Sequence, residues 1–194
     1  MYIGRFIIIG KGFGGYCVCS RSFPERQMIE GGNGWVVGPT LDAPDTDNPY
    51  ISYNCLGVEG KCVVIGNGSH VDPIREKISI GVSPRDALST VLLALDYEKD
   101  AYDTPRIAGI IGEKSVIGVV RKNGIDVQTV DRTMLVSTYE KNIPCEYEFE
   151  RDSAERIAEK IHTLGFEFPV CSIGVTVGEM IDIGVVNGSV VKDK

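Results

Sequence analysis

Arg106-Ile-Ala-Gly-Ile-Ile-Gly-Glu-Lys-Ser-Val-Ile-Gly-Val-Val-Arg-Lys-Asn-Gly-Ile-Asp-Val-Gln-Thr-Val130 is the stretch whose reading decides the fold class. Residues 106–111, 115–121 and 125–130 are β-branched runs of strand length, and Asn123-Gly124 between the last two is a strong hairpin signal. Strands that follow one another without an intervening helix pair antiparallel, because a tight turn can join only antiparallel neighbours. Working outward, further strands are expected at 2–9, 16–20, 34–37, 50–58 and 61–65, then at 133–137, 145–149, 170–177 and 180–186. Helices are expected at 72–78, at 84–98 and from a Ser153 cap through Leu164, where Gly165 supplies a stop. The order is strands, two helices, strands, one helix, strands. Such segregation favours α+β over an alternating parallel sheet, and the continuous apolar runs suit two packed antiparallel sheets with helices outside.

Composition bounds the function classes. With 194 residues and 43% hydrophobic content, the chain can bury a core as one domain spanning 1–194. Its longest apolar runs fall far short of the roughly 20 residues a membrane span needs, and no signal peptide is expected, so no membrane partner is. Six cysteines occur without a CxxC pair or a histidine at ligand spacing, so neither a metal site nor a cofactor is expected. They read as reduced thiols of a cytoplasmic protein. A formal charge of −7 argues against a nucleic-acid partner, since that affinity comes from basic surface neutralising phosphates. A phosphorylated small molecule must then meet a local arginine cluster. Ser20-Arg-Ser-Phe-Pro-Glu-Arg26 offers one, and two surface arginines flanking a turn are its plain alternative.

Several segments carry polar groups of particular composition. Gly10-Lys-Gly-Phe-Gly-Gly15 matches GxGxxG, but no helix opens after it, so it reads as a hairpin turn. Asn48-Pro-Tyr-Ile-Ser-Tyr-Asn-Cys55 places Tyr50, Ser52 and Asn54 on one strand face and Ile51, Tyr53 and Cys55 on the other. Asn67-Gly-Ser-His70 leads into a helix N-terminus, where Ser69 or Asp72 can cap or an anion can bind. Ser83-Pro84-Arg85-Asp86 starts the long helix with a capping box, and Leu88, Val91, Leu92 and Leu95 form its core stripe. Extending that period puts Glu98, Lys99 and Tyr102 on the same inward face. Asp96, Glu98, Asp100 and Asp103 then crowd the negative end of the helix dipole, each unfavourable by about 0.3 to 1 kcal/mol. Either the helix stops near Asp96 and these acids are solvated, or some of them work in a cleft.

Taken together, Ser20–Arg26, Asn48–Cys55, Asn67–His70 and Asp96-Tyr-Glu-Lys-Asp-Ala-Tyr-Asp-Thr-Pro-Arg-Ile107 resemble the archaeal type of IMP cyclohydrolase, over nearly the whole chain. The resemblance implies closure of a formamido-imidazole-carboxamide ribonucleotide to inosine monophosphate with loss of water. It also implies a four-layer αββα sandwich like that of N-terminal nucleophile hydrolases, here beginning Met1-Tyr2 without the nucleophile. It selects Glu98 as proton shuttle, with Lys99 or Tyr53 to stabilise an oxyanion or donate the proton that releases water. Arg21 and Arg26 are then expected at the 5′-phosphate, and Asn54, Asn67 and Ser69 at ribose or carboxamide groups. A homo-oligomer is expected as well. Two other classes stay open: an amidohydrolase or other nucleotide-processing hydrolase on the same scaffold using Cys55 or His70, and a non-catalytic nucleotide binder.

Overall fold

The computed structural model describes residues 1–32, 34–44 and 51–188. The strands are β1 Arg5–Gly10, β2 Phe13–Cys19, β3 Arg26–Gly31, β4 Gly34–Pro39, β5 Tyr53–Glu59 and β6 Cys62–Gly66. Two helices follow, α1 Val71–Ser79 and α2 Pro84–Leu95. Next come β7 Arg106–Ile111, β8 Val116–Arg121, β9 Gly124–Thr129, β10 Met134–Ser137 and β11 Cys145–Glu146. Helix α3 Ala154–His162 and strands β12 Pro169–Val177 and β13 Ile181–Asn187 complete the order.

These strands form a six-stranded sheet, β11-β10-β1-β2-β12-β13, and a seven-stranded sheet, β3-β4-β5-β6-β7-β8-β9. Every pairing is antiparallel. The protein is thus a mixed α+β structure of two antiparallel sheets. Lys11 and Gly12 turn the chain between β1 and β2, with Gly12 at φ +68, so the glycine-rich run is the hairpin expected of it.

Alternation along each strand sorts the side chains into layers. Ile7, Ile9, Tyr16 and Val18 of the smaller sheet face Cys55, Val63, Ile65 and Ile107 of the larger one. On the other face of the smaller sheet, Phe6, Ile8 and Cys17 meet Ile157 and Ile161 of α3. Val64, Ala108 and Ile110 on the outer face of the larger sheet take Val71, Ile74, Leu88 and Leu92 from α1 and α2. Strands covered on both faces must be apolar throughout, which explains the runs of β1, β2 and β7. Gly15, Gly174 and Gly184 lie in one cross-strand row beneath α3. A Cβ on Gly174 or Gly184 would run into the backbone of Ala154 and Glu155, so this row admits the helix to the sheet.

Three expectations need correction. Strand β3 was not anticipated, because Arg26-Gln-Met-Ile-Glu-Gly31 has only two apolar residues. It is an edge strand, and Asn187 holds it to β13 by accepting from Met28 N–H at 2.7 Å and donating to Met28 O at 3.1 Å. Strand β11 is shorter than the 145–149 run suggested. Helix α2 ends at Leu95, where Asp96 takes φ +58, so the period that placed Glu98, Lys99 and Tyr102 on one helical face does not apply. Tyr50 and Asn48 lie outside the described residues.

Candidate active site

The four acids after α2 are sorted by their local bonds. Asp96 Oδ1 accepts from Tyr97 N–H at 2.9 Å, and Lys99 Nζ pairs with its Oδ2 at 3.3 Å. Asp100 Oδ1 accepts from the N–H groups of Tyr102 and Thr104 at 3.1 and 3.0 Å, and its Oδ2 accepts from Thr104 Oγ1 at 2.7 Å. Burial pushes the Asp100 carboxyl up, yet these bonds outweigh it and hold it below the usual range. Asp103 pairs with Lys122 at 2.7 Å. Asp96, Asp100 and Asp103 therefore organise the loop or its surface.

Glu98 alone is buried, at 6% exposure. Its N–H donates to Thr104 O at 2.8 Å, which turns the side chain inward. Arg106 Nη1 donates to Glu98 Oε1 at 3.2 Å, while Arg106 Nε is held by Asp96 O at 2.9 Å. From the other sheet, Arg5 Nη2 lies 3.9 Å from Glu98 Oε2. Burial nonetheless raises the Glu98 carboxyl above its ordinary value, with the two guanidinium groups pulling it down and Asp100 pushing it up.

A cleft of about 580 Å³ opens beside this carboxylate, lined by Arg5, Ser52, Tyr53, Asn54, Asn67, Gly68, Ser69, Asp72, Glu98 and Arg106, with Val36 as its apolar wall. A second cleft of about 280 Å³ shares Arg5 and Glu98 and continues over Ser20, Ser22, Phe23, Arg26, Tyr102, Thr104 and Tyr139. Arg5 and Glu98 thus stand where the two adjoin. Most of the lining comes from the starts of β1, β5 and β7 and from just past the ends of β2 and β6. Antiparallel pairing brings these together at one end of the sandwich.

Tyr53 projects from the first residue of β5, and its hydroxyl lies 2.7 Å from that of Tyr16. Burial raises the Tyr53 phenol, while Arg26, Arg5 and the Tyr16 hydrogen bond pull it down. Arg26 is 4% exposed, and its Nε donates to Phe23 O at 3.1 Å. Its two terminal nitrogens carry no hydrogen bond to the described residues. Asn67 spends its amide on backbone, accepting from Ile107 N–H at 2.8 Å and donating to Pro105 O at 3.0 Å. Asn54 donates to Asp72 Oδ2 at 2.5 Å, and Ser69 is exposed within the larger cleft.

Of the residues expected from sequence, Tyr53, Asn54, Asn67, Ser69 and Glu98 line the larger cleft and Arg26 the smaller one. Lys99 and Arg21 line neither. The Lys99 side chain is 71% exposed on the outer surface beside Asp96. Arg21 is 57% exposed, pairs with Glu167 at 3.0 Å and lies 4.3 Å over the Tyr2 ring. Sequence reasoning missed Arg5 and Arg106 as lining residues; each opens an apolar strand, and a charge at a strand start is ordinary. Cys55 faces the core between the sheets, its thiol donates to Trp35 O at 3.3 Å, and burial pushes its pKa up. His70 is fully buried with Nε2 2.8 Å from Ile107 O, and burial lowers it to about 4.

Fold and site together define an α+β protein of two stacked antiparallel sheets, with a polar cleft in which a buried carboxylate, a phenol and guanidinium groups converge. The chain belongs to the family of IMP cyclohydrolase-like proteins, whose model matches residues 2–180. It is 50% identical over 190 residues to the IMP cyclohydrolase of Natronomonas pharaonis, covering 97% of this chain and 100% of that protein. The IMP cyclohydrolase of Haloquadratum walsbyi is 51% identical over 177 residues, 91% of each chain. That of Methanocella arvoryzae is 44% identical over 199 residues, covering 97% of this chain and 99% of its own.

Proposed function

We propose that this chain is an IMP cyclohydrolase that closes 5-formamido-1-(5-phosphoribosyl)imidazole-4-carboxamide to inosine monophosphate with loss of water, in de novo purine biosynthesis. Full-length similarity to relatives bearing that name carries the reading. The reaction needs no enzyme nucleophile, because the carboxamide nitrogen attacks a formyl carbon of the same molecule. What remains is to hold the reactive conformer, move protons and stabilise the oxygen that gathers charge.

In this reading Glu98 takes the proton from the attacking nitrogen and returns it to the hydroxyl that leaves as water. A carboxyl raised by burial is suited to both halves of that task. The Tyr53 hydroxyl gives its proton to the formyl oxygen as charge develops there, with the Arg5 guanidinium adding a positive field, and the phenolate recovers a proton from the formamido N–H as water departs. Arg26, Ser20 and Ser22 receive the 5′-phosphate in the smaller cleft, where a guanidinium fork can grip two oxygens. Asn54 and Ser69 meet ribose or carboxamide groups, and Asn67 supports them by holding the start of β7. Lys99 and Arg21, the other candidates for oxyanion and phosphate, would first have to leave Asp96 and Glu167.

The layer order of helices, two sheets and a helix supports a single-domain αββα sandwich of the N-terminal nucleophile hydrolase kind. Cys17 and Cys19 are buried within β2, which is poor placement for a nucleophile. The same reading makes the protein a cytoplasmic homo-oligomer; among the described residues no helix is long and apolar enough to cross a membrane. A thiol amidohydrolase draws no support from Cys55, which points away from the cleft.

Ultraviolet absorbance, followed as the formamido substrate is offered to wild type and to Glu98→Gln, tests the proposal. Wild type is expected to form IMP, and the variant to lose about 10²- to 10⁴-fold in kcat. No IMP from the wild type would sink the reading, and an unimpaired variant would remove Glu98 from it.

A further inference from the structure

Tyr16 has no place in the chemistry above, yet its hydroxyl is the group on which Tyr53 rests. The residue sits in the middle of β2, fully buried, in the layer between the two sheets. Tyr53 comes from the opposite sheet, so the 2.7 Å contact between their oxygens spans the sandwich. Among the described residues the Tyr16 hydroxyl has no other hydrogen-bond partner, whereas Tyr53 also faces the cleft.

This asymmetry sets the direction of the bond. Were Tyr53 the donor, the Tyr16 proton would be buried without an acceptor, which is costly in a dry interior. With Tyr16 as donor, both needs are met: its proton ends on Tyr53 Oη, and the Tyr53 proton is left to point into the cleft. Arg5 strengthens the arrangement, because its positive charge faces both phenols. Among the described residues its Nε is a buried donor without a hydrogen-bond partner, while its Nη2 lies 3.9 Å from Glu98 Oε2, so the same charge faces the carboxylate and the phenols.

We propose that Tyr16 is a positioning residue of the site: its buried hydroxyl donates to Tyr53 Oη, aims the Tyr53 proton at the substrate oxygen and stabilises the phenolate left after that proton moves. The inference rests on the reading of Tyr53 as the donor to the formyl oxygen. Burial raises both phenols, Tyr16 more strongly, which agrees with Tyr16 keeping its proton while Tyr53 gives one up.

The test compares wild type, Tyr16→Phe, Tyr53→Phe and the double variant, each with 3,5-difluorotyrosine in place of tyrosine so that phenol titration falls where the fold survives. Fluorine NMR follows the Tyr53 resonance, assigned by its loss in Tyr53→Phe, and kcat and KM are measured alongside. Tyr16→Phe removes one oxygen and leaves Tyr53 able to turn to water, so thermal unfolding should barely move. In Tyr16→Phe the Tyr53 titration is expected to rise by about one pH unit, with kcat falling about tenfold and KM holding. Added to Tyr53→Phe, the same change should cost nothing more. A Tyr53 titration that stays put in Tyr16→Phe overturns the inference, as does an additive loss in the double variant. If wild type forms no IMP, the proposed function falls, and the fluorine titration still decides whether Tyr16 governs Tyr53.

Discussion

Glu98 differs from the three acids around it only in what surrounds it, and that difference is measurable as pH dependence. Its raised carboxyl must be ionised to accept a proton, so kcat/KM should fall as pH drops through a value raised from that of an ordinary glutamate. In Glu98→Gln the residual activity should lack that limb, which a pH–rate profile of both proteins would reveal. His70 makes a separate prediction about stability. Its folded pKa of about 4 lies below the ordinary histidine value of about 6.5, so the unfolded chain binds more protons between these two pH values. The stabilisation is complete above the higher value and is lost as pH falls toward the lower one, by up to about 3 kcal/mol. His70→Gln keeps a donor for Ile107 O but cannot titrate, so the fall in denaturant-derived stability from pH 7 to pH 4 should be smaller in the variant. Residue types in this region were legible from sequence, while their roles were not. Burial and partners separate Glu98 from Asp96, Asp100 and Asp103, and neither is encoded in a run of like charges.

Helix α2 illustrates how local rules hold and where they stop. Ser83 Oγ accepts from Asp86 N–H at 3.3 Å, the N-cap bond read from the sequence, while the acid expected to complete a capping box accepts from the Ser83 hydroxyl at 2.8 Å. Leu88, Val91 and Leu92 are buried as the period requires, yet Leu95 is 42% exposed and the helix ends there. Nothing in the apolar spacing announces that end, because the stop is made by Asp96 at positive φ and by Arg106 Nε bonding to Asp96 O. Glu98 therefore reaches the cleft from a loop, and its burial is independent of the helical face first assigned to it. The β6–α1 connection imposes a limit on the same carboxylate. A Cβ at Gly68 would stand 3.1 Å from Glu98 Oε1 and 3.2 Å from Arg106 Nη1. The backbone there tolerates alanine, so Gly68→Ala should leave the melting temperature nearly unchanged. Displacement of the ion pair should lower kcat by about 10- to 100-fold, checked by steady-state kinetics beside a thermal scan.

At the scale of the molecule, the two sheets are registered by side chains that exchange space across the middle layer. Ile9 is fully buried and its Cδ1 occupies the position a Cβ would take on Gly109 of the opposite sheet. Ile9→Ala should therefore open a cavity between the sheets and cost about 2 to 5 kcal/mol, measurable by denaturant unfolding. Most strand and helix identities, the serine N-caps of α2 and α3 and the antiparallel hairpins were determined by the sequence alone, because period, turn chemistry and capping act over a few neighbouring residues; the N-cap position of α1 is His70, without a side-chain cap, where Ser69 or Asp72 was expected. The resemblance of four short segments also pointed to the family before any geometry was known. Strand order, the edge strand β3 and the meeting of Arg5, Tyr53, Glu98 and Arg106 were decided only by tertiary structure. These side chains come from both sheets and from positions far apart in the chain, and they converge because burying the strands on both faces brings those ends together.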